Sequence, residues 1–469
     1  MKLSKFFIAL GLVAASLTTQ AASNNPYSIY TSNLPSSMPE VSAPSFPNRL
    51  AILSDFGAVG NGTQLCTEAF EKAIESLSKQ GGGRLVVPRG VWFTGPIVLR
   101  SNIDLHLEQG SIILFSGDMS LYPVTEVTYE GKTTRKCQSP ISGHDLFNVA
   151  ITGRGVIDGN GQNWRPLKRF KVTDKSWDKM TRDGGVMSKK QDLWYPSEEH
   201  IRLRPVLIHL NNCRNVLIQN VAIQNSPAWN IHPLMCENLI IDGVTARNPF
   251  YAQNGDALDL ESCRNALVVN STFDAGDDCI CIKSGKDEEG RKRGRPCENV
   301  VVNGCTVFAG HGGFTVGSEM SGGVRNILVK DCQFLGTDVG IRFKSTRGRG
   351  GVVENIFING ISMYNIIEDA LIFDMYYGGK SVTDEMDGIE QGSGKALLVP
   401  DETTPVFRNI TIENIICRGA SRALYFNGLP ESPIKGITLR NINISADKEG
   451  LFSHCENIKK ENVNILSTK

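Results

Sequence analysis

Four tripeptides combine ionisable side chains in a way that could do chemistry: Asn254-Gly255-Asp256, Gly276-Asp277-Asp278, Gly310-His311-Gly312 and Arg342-Phe343-Lys344. Each lies just before or within a short apolar run. A protonated carboxyl beside an ionised one is what cleavage of a glycosidic bond needs. The first gives its proton to the leaving oxygen, and the second activates water or attacks carbon. Three crowded acids cannot all ionise cheaply, so at least one is pushed towards its neutral form. His311 can tune that proton. Arg342 and Lys344 are two apart in a strand-like run, so they share a face while Ile341 and Phe343 turn the other way. Such a cation pair suits a substrate carboxylate. The expected substrate is therefore an acidic sugar chain. A lone Asp in a turn is most often only a turn residue. Ionisable groups at a comparable place in four consecutive repeats are harder to explain that way.

These groups are far apart in the chain, so a repeating architecture must gather them. A short pattern recurs at Cys213-Arg214-Asn215-Val216-Leu217-Ile218, Cys236-Glu237-Asn238, Cys263-Arg264-Asn265 and Cys297-Glu298-Asn299. It returns from Val324, Val353, Phe407 and Cys455. Consecutive copies are spaced roughly as solenoid repeats are. The aliphatic residues alternate with period two, which means strand. A second apolar run follows each copy, as at Ile280–Ile282 and Phe314–Val316. Strands with no helix between them cannot form a βαβ sheet. They can form an all-β, single-stranded parallel β-helix, in which each strand pairs with its counterpart one turn on. Asn at a fixed place fits a turn residue tolerant of left-handed backbone, and stacked Asn side chains can hydrogen-bond along the coil. The recurrent cysteines read as small buried residues. Cys279 and Cys281 lack a second pair for a zinc site.

Solenoids need capped ends. Phe70, Ile74 and Leu77 form a helical apolar stripe over 67–79, ended by Gly81-Gly82-Gly83. Residues 49–469 are thus expected as one β-helical domain, with 23–48 an unstructured leader. Two polar excursions, 162–204 and 378–404, should lie outside the coil as long loops, which often carry function. The basic run of Lys283, Lys286, Arg291, Lys292, Arg293 and Arg295 is expected to overhang the groove and attract a polyanion. Trp164, Trp194 and Trp229 are candidates for stacking on sugar.

Residues 1–22 read as a signal peptide: Lys2 and Lys5, an apolar stretch too short to span a bilayer, then small residues. Export to the periplasm or beyond is expected, as a soluble monomer without a membrane span. The chain has 469 residues, with Lys+Arg 49 against Asp+Glu 49. That balance excludes a globally basic nucleic-acid binder.

The same tripeptides, in this order, resemble glycoside hydrolase family 28, the polygalacturonases and their relatives. The likeness runs from Asp55-Phe56-Gly57-Ala58 onward. The stretches Ser226-Pro227-Ala228-Trp229-Asn230-Ile231-His232-Pro233 and Gly317-Ser318-Glu319-Met320-Ser321-Gly322-Gly323 resemble the bacterial, exo-acting branch. The resemblance implies a right-handed parallel β-helix and inverting hydrolysis of α-galacturonosyl linkages, with no metal or other cofactor. It makes Asp277 the general acid and Asp256 and Asp278 the holders of the attacking water. His311 supports the acid, and Arg342 and Lys344 bind the galacturonate carboxylate. Trp229 and His232 are further candidates for substrate contact. Two departures stand out: Asn-Gly-Asp where the family has Asn-Thr-Asp, and Arg-Phe-Lys where it has Arg-Ile-Lys. A rhamnogalacturonan-directed hydrolase is the alternative, and a polysaccharide lyase or a non-catalytic β-helix the more distant ones.

Overall fold

The computed structural model describes residues 25–378 and 399–468. The expected signal peptide and most of the second excursion lie outside them. The described chain winds into a right-handed parallel β-helix, the hand expected of parallel crossovers. One face is an 11-stranded sheet that runs from Ile97–Val98 through Ile208–Asn211, Leu258–Glu261, Asp278–Lys283, Gly312–Val316 and Ile341–Lys344 to Lys448–Ser453. We call it the site sheet. The remaining coil strands form one 22-stranded sheet. Every neighbouring pair in the site sheet is parallel.

Alternation explains why these runs become strands. In the site sheet Leu258, Ile280, Phe314, Ile341 and Leu371 lie in one column, all buried. The next inward column holds Phe343, Phe373 and Phe426, whose rings stack at 4.3 and 4.6 Å. Each such side chain contributes about 1.5–3 kcal/mol by leaving water. Phe343 is thus an inward packing residue, as the Arg-Phe-Lys departure requires.

The asparagines behave as their spacing predicts. Asn148, Asn215, Asn238, Asn265, Asn299, Asn326 and Asn355 all have φ between 50 and 57°. Each donates its amide to the Asn one coil back, from Asn215 to Asn148 at 3.1 Å through Asn355 to Asn326 at 3.4 Å. Asn tolerates left-handed backbone, and its amide has both a donor and an acceptor, so the column propagates without an orphan. The twelve cysteines are free thiols, all buried except the half-buried Cys455.

The capping helix spans Thr67–Lys79 and buries Phe70, Ile74 and Leu77 over the first coils. The leader differs from expectation. From Asn25 it lies against the outside of the 22-stranded sheet: Tyr27 and Val41 are buried beside Leu217, Ile240 and Leu267, and the Tyr27 hydroxyl donates to Asp242 at 2.9 Å. Its polar composition hid two apolar anchors. The first excursion is not a plain loop either. It folds into a small antiparallel sheet (Leu167–Lys168, Leu193–Tyr195, Val186–Met187) and two helices, Asp174–Arg182 and Glu198–Leu203. An unanticipated hairpin, Val124–Tyr129 with Lys132–Cys137, also leaves the coil. No helix among the described residues is long and apolar enough to cross a membrane.

Candidate active site

The site lies on the outer face of the site sheet, in a cavity of about 350 Å³. Asp256, Asp277, Asp278, His311, Arg342 and Lys344 all line it. Oxygens of the three aspartates lie within 4.8 Å of one another, close enough to grip one water or one cation. Asp277 ends the turn before its strand and Asp278 begins the strand, so the adjacent pair escapes strict alternation. The Asp277 carboxylate accepts from the Asp278 amide at 3.0 Å.

The cations do not sit at the rung position of the acids. Asp278 pairs in register with Gly312, but Arg342 pairs with Thr315, farther along the strand. Arg342 and Lys344 instead reach back. Lys344 Nζ lies 2.6 Å from Asp278 Oδ2, and Arg342 Nη1 lies 3.4 Å from Asp278 Oδ1. Gly312 makes this possible. A Cβ there would stand 2.8 Å from Asp278 Oδ1 and 2.2 Å from Thr315 Oγ1. Gly310, at φ 92°, has no room for one either: it would meet the Asp277 carbonyl at 2.7 Å. Both glycines of Gly-His-Gly are therefore steric requirements of the site. At Asn254-Gly255-Asp256, a Cβ on Gly255 would meet Ala252 Cβ at 2.6 Å, so this turn has no space for the family's Thr. Arg204, from the first excursion, holds Asn254 Oδ1 at 2.6 Å.

The electrostatics divide the acids. Burial pushes the Asp256 carboxyl well up, helped by Asp259 and Asp277. Burial would do the same to Asp278, but Lys344 and Arg342 outweigh it and hold that carboxyl below the ordinary range. Burial thus favours the neutral form at Asp256 while the cations favour the ionised form at Asp278 beside it. The hydrogen bond that His311 donates to Asp338 raises the His311 pKa against its burial. Asp338 lies on the next coil and contacts His311 Nδ1; the equal rung spacing was the signal that could have found it. Tyr377 was also missed. Its ring lies 5.0 Å from Lys344 Nζ and 5.5 Å from the Arg342 guanidinium.

Behind the triad stands a second charged layer. Lys283 Nζ pairs with Glu319 Oε2 at 2.9 Å and lies 3.5 Å from Asp259. Two expectations fail here. His232 is fully buried, between His209 at 3.1 Å and Glu261 at 3.0 Å. It faces no substrate. Trp229 lines the cavity but is 2% exposed: Tyr129 packs on its ring at 4.7 Å and Lys283 lies 4.7 Å from its centroid. Neither face is open to a sugar. Trp164 is likewise buried, edge-on to Tyr122.

The basic run is not an overhanging loop. It contains a helix, Asp287–Arg293. Arg293 pairs with Glu261, Arg291 donates to the carbonyls of Gly348 and Arg349, and Arg295 donates to that of Met235. Only Lys292 stands out in solvent, paired with Glu288. These cations are tied into the wall of the site. Lys286 reaches the cavity. The hairpin of residues 124–137 is strapped to this segment: Lys286 N donates to Gly131 O at 3.1 Å, Lys132 pairs with Asp287 at 3.2 Å, and Thr133 N donates to Glu289 at 2.8 Å. The strap puts Glu130 into the cavity wall on that flank.

The family model for glycosyl hydrolases family 28 matches residues 83–464. A probable polygalacturonase of Vitis vinifera is 32% identical over 415 residues, 86% of this chain and 76% of that protein. An exo-poly-alpha-D-galacturonosidase of Dickeya chrysanthemi is 29% identical over 356 residues, 71% of this chain, which spans 58% of that relative. Among solved structures, the hyperthermoactive exopolygalacturonase from Thermotoga maritima aligns at TM-score 0.76 and 34% identity, over 91% of this chain and 94% of that one. The polygalacturonase of Erwinia carotovora, 23% identical at TM-score 0.65, supports the fold. The match covers the coils that carry the carboxylate triad and its cations, and the chain belongs to glycosyl hydrolases family 28.

Proposed function

We propose that this protein is an inverting, exo-acting hydrolase of α-galacturonosyl linkages in pectic polysaccharide. The observation that carries the reaction is the triad: three carboxyls with oxygens within 4.8 Å of one another, Asp256 pushed up by burial and Asp278 held down by Lys344 and Arg342 beside it. With oxygens so close, one proton is shared by the three acids as a set. In the reaction Asp277, the most open of them, gives that proton to the leaving oxygen. Asp278, kept ionised by Lys344, and Asp256 hold the water that attacks the anomeric carbon. The triad is tighter than the roughly 6.5–9.5 Å usual between carboxyls that flank such a water, so the water sits at the triad's rim, held by Asp256 and Asp278 together. His311, charged against Asp338, supports the acid. Arg342 and Lys344 read the galacturonate carboxylate.

Exo action follows from the strap at Glu130 and Gly131. A cavity walled on one flank admits a chain end more readily than the middle of a polymer. We further propose export, which the Lys2/Lys5 start and short apolar stretch of the first residues support, as a soluble monomer.

The test is a product time course on defined galacturonate oligomers, with Asp277→Asn alongside. Monogalacturonate from the first minutes, an inverted first-formed anomer by NMR, and a loss of about 10²–10⁴ in rate for the variant are expected. Mixed short oligomers from the outset would refute exo action. Unsaturated products absorbing in the ultraviolet, lost on chelation, would point to a lyase.

A further inference from the structure

A second cavity, of about 650 Å³, lies on the outside of the 22-stranded sheet and not on the site sheet. It shares no lining residue with the catalytic cavity. Its size falls within the roughly 300–1,000 Å³ usual for small-ligand sites. Successive early coils make its floor. Arg84, on Gly83–Val87, pairs in register with Asp104, on Ile103–Leu107. His106 of that second strand pairs with Thr152, on Phe147–Gly153. Ile103, Leu105 and Leu107 turn into the core, so Asp104 and His106 point outward. The docked leader makes one wall, through Pro44 and the half-buried Phe46.

Hydrogen bonds fix the floor. Asp104 is 1% exposed and accepts from Arg84 Nε at 2.7 Å and from Thr152 Oγ1 at 2.7 Å. His106 Nδ1 lies 2.8 Å from the same Thr152 hydroxyl. That hydroxyl has one proton and gives it to the Asp104 carboxylate, so His106 Nδ1 must donate to it. The imidazole is thereby held with its proton on Nδ1 and a lone pair on Nε2, which has no partner among the described residues. Burial and Arg84 lower the His106 pKa against Asp104 and Glu108, which favours this neutral form. Arg154 lines the same cavity, is exposed, and pairs with no carboxylate among the described residues. Glu108 and Gln109 are exposed at its rim. Hydrolysis uses none of these groups.

We infer that this cavity is a second, non-catalytic binding site for an acidic sugar, with Arg154 taking a uronate carboxylate, His106 Nε2 and Glu108 accepting from ring hydroxyls, and Phe46 covering an apolar face. The donors and acceptors suit that class and exclude simpler ones. A small inorganic anion would face the His106 lone pair and the Glu108 carboxylate. A metal cation would face Arg84 and Arg154. A polyhydroxylated acid satisfies both sets, because its hydroxyls need acceptors and its carboxylate needs a cation. The Asp104–Thr152 relay orients Nε2 before the ligand arrives, so little ordering remains to be done on binding. The ligand class rests on the pectic substrate proposed above. On a long chain, this site holds one segment of polymer and raises the effective concentration of chain ends near the catalytic cavity.

The experiment uses the full chain carrying Asp277→Asn, which turns over too slowly to interfere, with trigalacturonate as the probe in calorimetry. Binding at two sites is expected. Adding Arg154→Ser should raise the Kd of one site about tenfold or more, the scale of one charged hydrogen bond, and leave the other unchanged. His106→Phe, which has no acceptor, should weaken the same site. Galactotriose, which lacks carboxylates, should not fill it. With Asp277 intact, Arg154→Ser should leave kcat and KM on digalacturonate unchanged and raise KM on polygalacturonate. A trigalacturonate isotherm that Arg154→Ser does not alter would overturn the proposal. So would a second site that takes galactotriose equally well, or equal losses on digalacturonate and polygalacturonate. Binding is read without turnover, so a parent protein that fails to hydrolyse galacturonate oligomers sinks the hydrolase reading while the isotherm still reports on this cavity.

Discussion

Replacing Lys344 by Met keeps the stem and removes the charge that holds Asp278 ionised. The pair is 2.6 Å apart, and its side chains are 7% and 1% exposed. Once Lys344 is gone, Asp278 keeps Thr315 Oγ1 at 3.1 Å and Arg342 at 3.4 Å. Removing one partner of a buried pair costs about 3–5 kcal/mol. Arg342 remains, so about 3 kcal/mol is expected. The double variant Asp278→Asn with Lys344→Met leaves no orphaned charge. It should be about 2 kcal/mol more stable than the two single losses sum to. The sign with pH follows from the depressed carboxyl. Its stabilisation is present above the unfolded carboxylate pKa, about 3.9, and is lost as pH falls through the lower folded value. In Lys344→Met burial prevails and the carboxyl rises, so the stability deficit is large at neutral pH and small near pH 3. The acid limb of kcat/KM should move to higher pH for the same reason. Urea or thermal unfolding across this pH range and a pH–rate profile on galacturonate oligomers measure both effects. Single losses that add within about 0.5 kcal/mol, or an acid limb that stays in place, would refute the coupling.

Other expected outcomes follow from particular contacts. Gly312→Ala should abolish most activity while the protein still folds, because a Cβ at 2.8 Å from Asp278 Oδ1 blocks the reach of Arg342; a rate within about tenfold of the parent would show that the neighbours can give way. Asp338→Asn removes the main support of the charged His311. Because the folded pKa is raised, that charge is lost as pH rises through it, so the alkaline limb of kcat/KM should move to lower pH, and an unmoved limb counts against the role. Asn265→Ala should cost about 1–2 kcal/mol for left-handed backbone alone, plus the ladder bonds to Asn238 and Asn299. Asn265→Gly should recover the backbone part, which denaturation midpoints can separate.

Much of this molecule was legible in single residues. Period-two aliphatics specify strands because pleating alternates side chains whatever surrounds them. A recurrent Asn specifies a left-handed turn because few other side chains tolerate it. Those two local rules, repeated, were enough for the coil and the columns that gather Asp256, Asp278 and His311, and the helical stripe of Phe70, Ile74 and Leu77 was enough for its cap. The identity of the acids and cations carried the chemistry, since only such groups can hold a proton and a carboxylate. What happens between coils was not local. Lys344 finds Asp278 across two rungs only because Gly312 leaves a gap, and His311 finds Asp338 only because their coils stack in phase. Trp229 and His232 looked like sugar contacts until packing buried the first beneath Tyr129 and Lys283 and the second between His209 and Glu261. The strap at Glu130 and the leader wall at Phe46 come from segments without repeat, whose course depends on what they can dock against. Tertiary structure decided those matters because reach, occlusion and closure are properties of distances between segments, and no residue carries them by itself.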